Sequence, residues 1–357
     1  MDEASKSSSV RTIPLSQAVG AVLAHDITEI RPGNFKGPAF RRGHVVRESD
    51  ICHLQRLGKE NLFVLEIADG DMHEDEAAAA LAGALAGEGT EPEGEPSEGR
   101  VNLAAARDGL LMVDTGALLA FNMLGSVMCA TLHSGTVVRK GQVVAGTRAI
   151  PLVISRRTVE RAVAAARGPG GRGTVEVLPM RKPRAGAVIS GTEVFTGRVA
   201  DAFAPVIREK IEAVGGRMVG VRYAPDDRGR IALAMRELMA AGADLLVVTG
   251  GMSVDPDDVT RLAIAEAGAR DIVYGSPVLP GAMALVAHIG QGGGAVPVLG
   301  VPACALYGKT TAFDLVLPRV LAGQRVGRRE LAALGHGGLC LRCDPCRFPV
   351  CPFGKGA

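Results

Sequence analysis

Two stretches of this sequence hold residues whose types and spacing could do chemistry. The first is "GLCLRCDPCRFPVC" near the C-terminus, where Cys340, Cys343, Cys346 and Cys351 fall within twelve residues. Four thiolates in the order C-x2-C-x2-C-x4-C can reach one small inorganic centre. A zinc ribbon sets two cysteine pairs well apart. The tight triple, with a proline after Cys351, favours a 4Fe-4S cluster over Zn2+ as its occupant. His336 stands near enough to replace a cysteine but reads as a turn histidine in "GHGG". A tail this short builds no substrate pocket, so it reads as an appendage that senses, docks or transfers.

The second stretch is "TGGMSVDPDD", Thr249 to Asp258. Gly250 and Gly251 let backbone pass close to a ligand, and the Thr249 and Ser253 hydroxyls can donate to it. A helix beginning near Pro256 would present free amides, an arrangement suited to phosphate. Asp255 and Asp257 read as capping groups. Asp258, inside the first turn, is assigned to a ligand or metal.

The elements that must position these residues are regular from Ala185 onward. "AGAVISG", "RMVGVRYA", "DLLVVTGG" and "AVPVLGVP" read as strands. "DAFAPVIREKIEAVGG", "RIALAMRELMAAGA", "DPDDVTRLAIAEAG" and "TAFDLVLPRVLAG" show helical spacing of apolar residues. This alternation predicts an α/β fold, a parallel sheet covered by helices on both faces. The polar clusters "SGTEVFTGRVAD", "APDD" and "TGGMSVDPDD" all follow strands, and ligands of such sheets bind beyond the carboxyl ends of the strands.

Smaller α+β segments precede this domain. Residues 10–67 read as a small N-terminal unit, with a helix at "RESDICHLQRLG" and a strand at "NLFVLEI". Residues 68–99 carry ten acidic residues and no Lys or Arg; with "GEGTEPEGEPSEG" they read as an acidic, solvated linker. Residues 100–182 form a middle α+β segment, in which "GLLMVDTGALLAFNMLGSVMCATL" is read as a buried helix. The α/β domain takes 183–326, and the cysteine-rich tail 327–357.

Composition bounds the function. Over 357 residues the chain is 47% hydrophobic and 22% charged, with a net charge of +2. Near-balance argues against nucleic acid or an acidic membrane as partner. Scarce aromatics and the absence of Trp argue against a base-stacking platform. The basic excess from Ser155 to Arg184 reads as a solvated face. The polar start "MDEASKSSSV" is no signal peptide, and seven cysteines, four of them clustered, suit a reducing compartment. The expectation is a cytoplasmic protein.

"ISGTEVFTGRVAD", "TGGMSVDPDDVT" and "GVPACALYGKTTAFDLVLPRVL", in this order and separation, resemble the molybdopterin-binding domain (MoaB/Mog domain) of molybdenum-cofactor proteins of the MoeA and MogA types. The resemblance covers about 183 to 326. It implies ligand contacts by Gly191, Thr192, Asp201, Thr249, Gly250, Gly251, Ser253 and Pro302. It also implies catalytic acids at Glu193, Asp258 and the turn Asp226–Asp227, where Asp227 is the choice. The implied ligand is molybdopterin or its adenylylated form, with Mg2+ assisting and molybdate or tungstate as co-substrate. Implied partners are molybdoenzymes or other cofactor-biosynthesis proteins, and a homo-oligomer. "GVPACA" departs from the proline-glycine-asparagine-proline turn of the transferase branch; Cys304 there reads as a small buried residue or as a soft ligand facing the dithiolene or metal. Three activities follow from the resemblance: a molybdenumtransferase-like enzyme, a non-catalytic carrier or sensor, or a nucleotide pyrophosphatase like the competence-damage-type relatives.

Overall fold

The computed structural model describes residues 10–31, 35–65, 68, 70–168, 170–252, 259–290 and 292–356. The chain divides into two compact units. One gathers the described residues up to Arg107 with Leu111–Leu132 and Val138–Val177; the other takes Asp108–Leu110, His133–Val137 and everything from Leu178 onward.

In the first unit, strand Val10–Pro14 pairs antiparallel with Asn61–Leu65, and Ile27–Arg31 with Phe35–Phe40. Helix Ile51–Arg56 adds Leu54 to their core beside Leu15, Ile27, Phe40 and Leu62. Beyond them, helices Glu74–Leu85 and Arg156–Arg167 share a larger core with an antiparallel sheet ordered Thr90–Ser97, Arg100–Ala105, Val143–Ala149, Val127–Thr131.

Two expectations fail in this unit. Residues 68–99 are not a linker: 74–85 are a helix and 90–97 a strand. The helix starts where the His73 side chain accepts from the Asp75 amide. Its acids cluster in the first turn, favourable at a helix N-terminus, and its Ala and Leu residues bury Ala77, Ala78, Leu81 and Leu85. The acidic strand lies at the sheet edge, where charge on exposed positions costs no burial and blocks unwanted pairing. The second failure is the apolar run from Gly109. It folds as strand Gly109–Val113, helix Thr115–Asn122 and strand Val127–Thr131. Asp114 caps the helix by accepting from the Ala117 amide, and Gly125 turns with φ 73°, which an L side chain resists.

The second unit carries the expected α/β layers. Its strands are β1 (Arg184–Ser190), β2 (Arg217–Ala224), β3 (Leu245–Thr249), β4 (Ala269–Tyr274), β5 (Leu285–Ile289) and β6 (Val296–Val301). Its helices are α1 (Phe203–Ala213), α2 (Arg228–Ala240), α3 (Thr260–Glu266), α4 (Ala312–Leu321) and α5 (Arg328–Ala333). The strands order β2-β1-β3-β6-β5-β4. The first four run parallel. The last two, absent from the strand pattern read in the sequence, complete one edge, β5 pairing antiparallel with β6 and β4 antiparallel with β5. Ile207 and Ile211 of α1 and Val316, Leu317 and Val320 of α4 pack against one face. Ile231, Met235 and Leu238 of α2 and Ile264 of α3 pack against the other. Strand β3 is buried throughout, which is why its sequence reads as an unbroken apolar run.

The tail is part of this unit. The Leu279 amide donates to Gly338 O and the Cys340 amide to Leu279 O, each at 2.8 Å. Phe353 is buried in the same core as α1 and α4.

Candidate functional site

The chain leaves β1 for β2 on one side and returns through α2 to β3 on the other, so β1 and β3 flank the point where the strand order reverses. Their carboxyl ends are tied together there. Ser190 Oγ donates to Thr249 O at 3.0 Å and meets Thr260 Oγ1 at 3.0 Å. Gly250 follows with φ 87°, and a Cβ on it would stand 2.0 Å from Ser190 O. Both the conformation and the close approach therefore require glycine. Thr249 is fully buried, and its Oγ1 finds no hydrogen-bond partner among the described residues.

A cleft of about 920 Å³ opens above these strand ends. Ser190, Gly191, Gly250 and Gly251 form its floor, and Glu193 and Asp226 contribute carboxylates. Val194, Phe203, Leu279, Pro280, Met283 and Pro302 give it apolar walls. Leu339, Cys340 and Arg342 of the tail complete it. The cleft thus combines mostly apolar walls with a few polar groups, two carboxylates and the Arg342 guanidinium, a composition typical of a small-molecule site.

The sequence-derived residues divide accordingly. Gly191, Glu193, Gly250, Gly251 and Pro302 line the cleft. Thr192 does not line it but donates through both its amide and its hydroxyl to Asp226 Oδ2 at 2.9 Å. Asp227 is placed differently from its assignment. It caps α2, accepting from the Arg230 amide at 2.9 Å, and its neighbour Asp226 is the acid in the cleft. Asp201 likewise caps α1, accepting from the Phe203 amide at 2.7 Å and from the Tyr223 hydroxyl at 3.0 Å. It borders a separate groove with Arg208, Glu209 and Tyr223. Both are aspartates just ahead of a helix, the commonest structural use of that residue. Ser253, Asp255, Asp257 and Asp258 lie outside the described residues.

The four tail cysteines are not one group. Cys351 packs with Phe348 against the core that holds Phe353. Cys340 reaches the cleft, Cys343 is exposed, and Cys346 Sγ lies 3.4 Å from the Thr310 hydroxyl. That hydroxyl, followed by the Phe348 amide, holds the Cys346 thiol below its ordinary range. Burial pushes the Cys304 thiol up. Among the described residues, no three His, Cys, Asp or Glu stand close enough to share one metal ion.

Sequence reading missed the wall at 279–283 and the return of the tail. One available signal was "VLPGAM", where Gly281 has φ 126° and a Cβ would meet Ala312 Cβ at 2.5 Å.

Fold and cleft together define an α/β ligand-binding domain with its site at the carboxyl edge of a mostly parallel sheet. Residues 186–322 match the family described as "Probable molybdopterin binding domain". Residues 12–66 match "Domain of unknown function (DUF8806)". A CinA-like protein of Mycobacterium sp. (strain MCS) is 36% identical over 90 residues, which are 25% of this chain and 21% of the relative. The CinA-like protein of Mycobacterium avium (strain 104) is 36% identical over 95 residues, 27% of this chain and 22% of the relative. The chain thus spans about a fifth of the length of these curated relatives. Among solved structures, the tungsten cofactor synthesizing protein MoaB from Pyrococcus furiosus is 19% identical at a TM-score of 0.31, over 39% of this chain and 91% of that one. The molybdopterin biosynthesis MoeA protein from Pyrococcus horikosii is 15% identical at 0.32, over 90% of this chain and 75% of that one. No helix among the described residues is long and apolar enough to cross a membrane.

Proposed function

We propose that the cleft binds molybdopterin, or its adenylylated form, and that the protein assists insertion of molybdate or tungstate during cofactor biosynthesis. The observation that carries this reading is a cleft of about 920 Å³ lined mostly by the segment that matches the molybdopterin-binding family and completed by the tail. The amides of the Gly250–Gly251 turn would receive a phosphate, the apolar walls the pterin plane, and Arg342 an oxyanion. Glu193 and Asp226 provide two carboxylates, enough to anchor Mg2+ when a ligand phosphate and waters complete its shell. Bound there, the ion would neutralise the phosphoanhydride of the adenylylated ligand. Asp258, outside the described residues, is kept in this proposal as a further acid that follows the glycine pair in sequence.

The 36% identity to CinA-like proteins favours a second reading, cleavage of a nucleotide pyrophosphate in the same cleft. Titration calorimetry with molybdopterin and with its adenylylated form, followed by an assay for AMP release with molybdate and Mg2+, separates the readings. AMP release that depends on molybdate supports insertion. Tight binding without release leaves a carrier or sensor that hands the ligand to a molybdoenzyme. Cleavage of an ordinary dinucleotide supports the second reading, and no binding refutes the first. Asp258→Asn should remove turnover or binding in a protein that stays folded.

A further inference from the structure

Beside the cleft lies a second cavity of about 630 Å³, and four cysteines line it: Cys304, Cys340, Cys343 and Cys346. Three come from the tail and one from the turn that follows β6. Cys351, the fourth cysteine of the sequence motif, is not among them; it packs against the apolar core beside Phe348. The two remaining cysteines, Cys52 and Cys129, belong to the first unit.

We propose that Cys304, Cys340, Cys343 and Cys346 hold a 4Fe-4S cluster, with Cys351 serving the fold and not the metal. Three observations select this set. In two-cluster ferredoxins a run of three cysteines spaced by two residues is followed, after three intervening residues rather than the four found here, by a cysteine before proline that ligates the other cluster, so the fourth ligand comes from elsewhere in the chain. Here Cys351 precedes Pro352, and the distant cysteine present in the cavity is Cys304. Second, a single zinc needs four thiolates converging at about 2.3 Å, and among the described residues no three donors are grouped closely enough for one metal ion, which weighs against zinc here. In a cubane each sulfur binds its own iron, so four thiolates lining one cavity need not converge on a single point. Third, the sulfurs already have polar neighbours of the kind that tune such clusters. The Arg342 amide donates to Cys340 Sγ at 3.4 Å, and the Thr310 hydroxyl lies 3.4 Å from Cys346 Sγ. Arg342 and Lys309 line the cavity against a single acid, Asp344, which offsets the negative charge of a thiolate-ligated cluster. Pro280, Cys304, Cys340 and Arg342 line both cavities, so the cluster would share a wall with the ligand cleft.

The test uses the full chain, purified without air or reconstituted anaerobically with ferrous iron and sulfide. Iron, acid-labile sulfide and zinc are measured together with visible absorption and the electron paramagnetic resonance of the dithionite-reduced protein. The expected result is about four irons and four sulfides per chain, with broad visible absorption. Cys304→Ser, Cys304→Ala and Cys343→Ser should each lose most of this, at least about fourfold, while Cys351→Ser keeps it; circular dichroism checks that each variant is folded. In the wild-type protein, alkylation before and after iron removal gives a readout that needs no variant. Cys304, Cys340, Cys343 and Cys346 should become reactive on removal, while Cys351 is unchanged. Full iron content in Cys304→Ala, loss of iron in Cys351→Ser, zinc at one equivalent without colour, or no iron uptake would each overturn the proposal.

Discussion

Replacing Gly250 by alanine tests whether the carboxyl ends of β1 and β3 are joined as closely as the structure shows. Two penalties act there. The φ of 87° places an alanine in the left-handed region, at a cost of roughly 1–2 kcal/mol. The added Cβ would stand 2.0 Å from Ser190 O and 2.6 Å from Ser190 Oγ. Backbone on one side and a doubly bonded hydroxyl on the other cannot move aside cheaply, and such overpacking costs roughly 1–3 kcal/mol more. Gly268→Ala isolates the first penalty. Its φ is 95°, nothing lies within 4 Å of its Cβ, and it does not line the cleft. At roughly 2–4 °C per kcal/mol for a unit of this size, the second unit should melt about 2–8 °C lower in Gly268→Ala. In Gly250→Ala the drop should be about 4–20 °C, the larger of the two in any paired measurement. Scanning calorimetry, which can separate the two units, reads both. Ligand affinity should fall in Gly250→Ala and stay unchanged in Gly268→Ala. If the two variants melt together, or if Gly250→Ala binds as the parent does, the close approach of the two strand ends is wrong.

Three further predictions follow from particular contacts. Asp227→Ala should lose a helix cap, about 1 kcal/mol of stability, and leave ligand affinity intact; Asp226→Ala should reduce affinity by freeing the Thr192 turn, as calorimetry would show. Arg342→Ala should weaken binding of a phosphate-bearing ligand and flatten its dependence on salt, measured by titration at several ionic strengths. Glu74 is only 6% exposed, and burial first, then Asp75, pushes its carboxyl from 4.5 to about 7, with Arg148 opposing. Because the folded value is the higher, the folded state holds this proton more tightly, and the stability it brings is lost as pH rises from about 4.5 through about 7. Glu74→Gln should therefore match the parent below pH 4.5 and exceed it by up to about 3 kcal/mol at pH 8. Urea denaturation at the two pH values checks this, and a constant difference between them would refute it.

Much of the second unit was readable in advance because β1, β3 and β6 are buried along nearly their whole length. Each announces itself as an apolar run with a helix behind it. The acidic segment was misread for the opposite reason. Composition there reports solvent exposure, and an exposed edge strand held by backbone hydrogen bonds has the same composition as a solvated linker. Asp201 and Asp227 show a related ambiguity. An aspartate after a strand and before a helix can serve a ligand or a cap, and only the hydrogen-bond partners decide.

By itself the sequence determined the alternation of strands and helices, the polar clusters at strand ends and the glycine turn, because each depends on residues close together in the chain. Tertiary structure decided which acids face the cleft, that the tail forms its wall, and that Cys304 joins three cysteines of the tail while Cys351 does not. Those outcomes depend on where a segment lands after the chain has turned back, and that position is set by the packing of Phe353 and its neighbours against the core. The spacing of the cysteines carries no record of it.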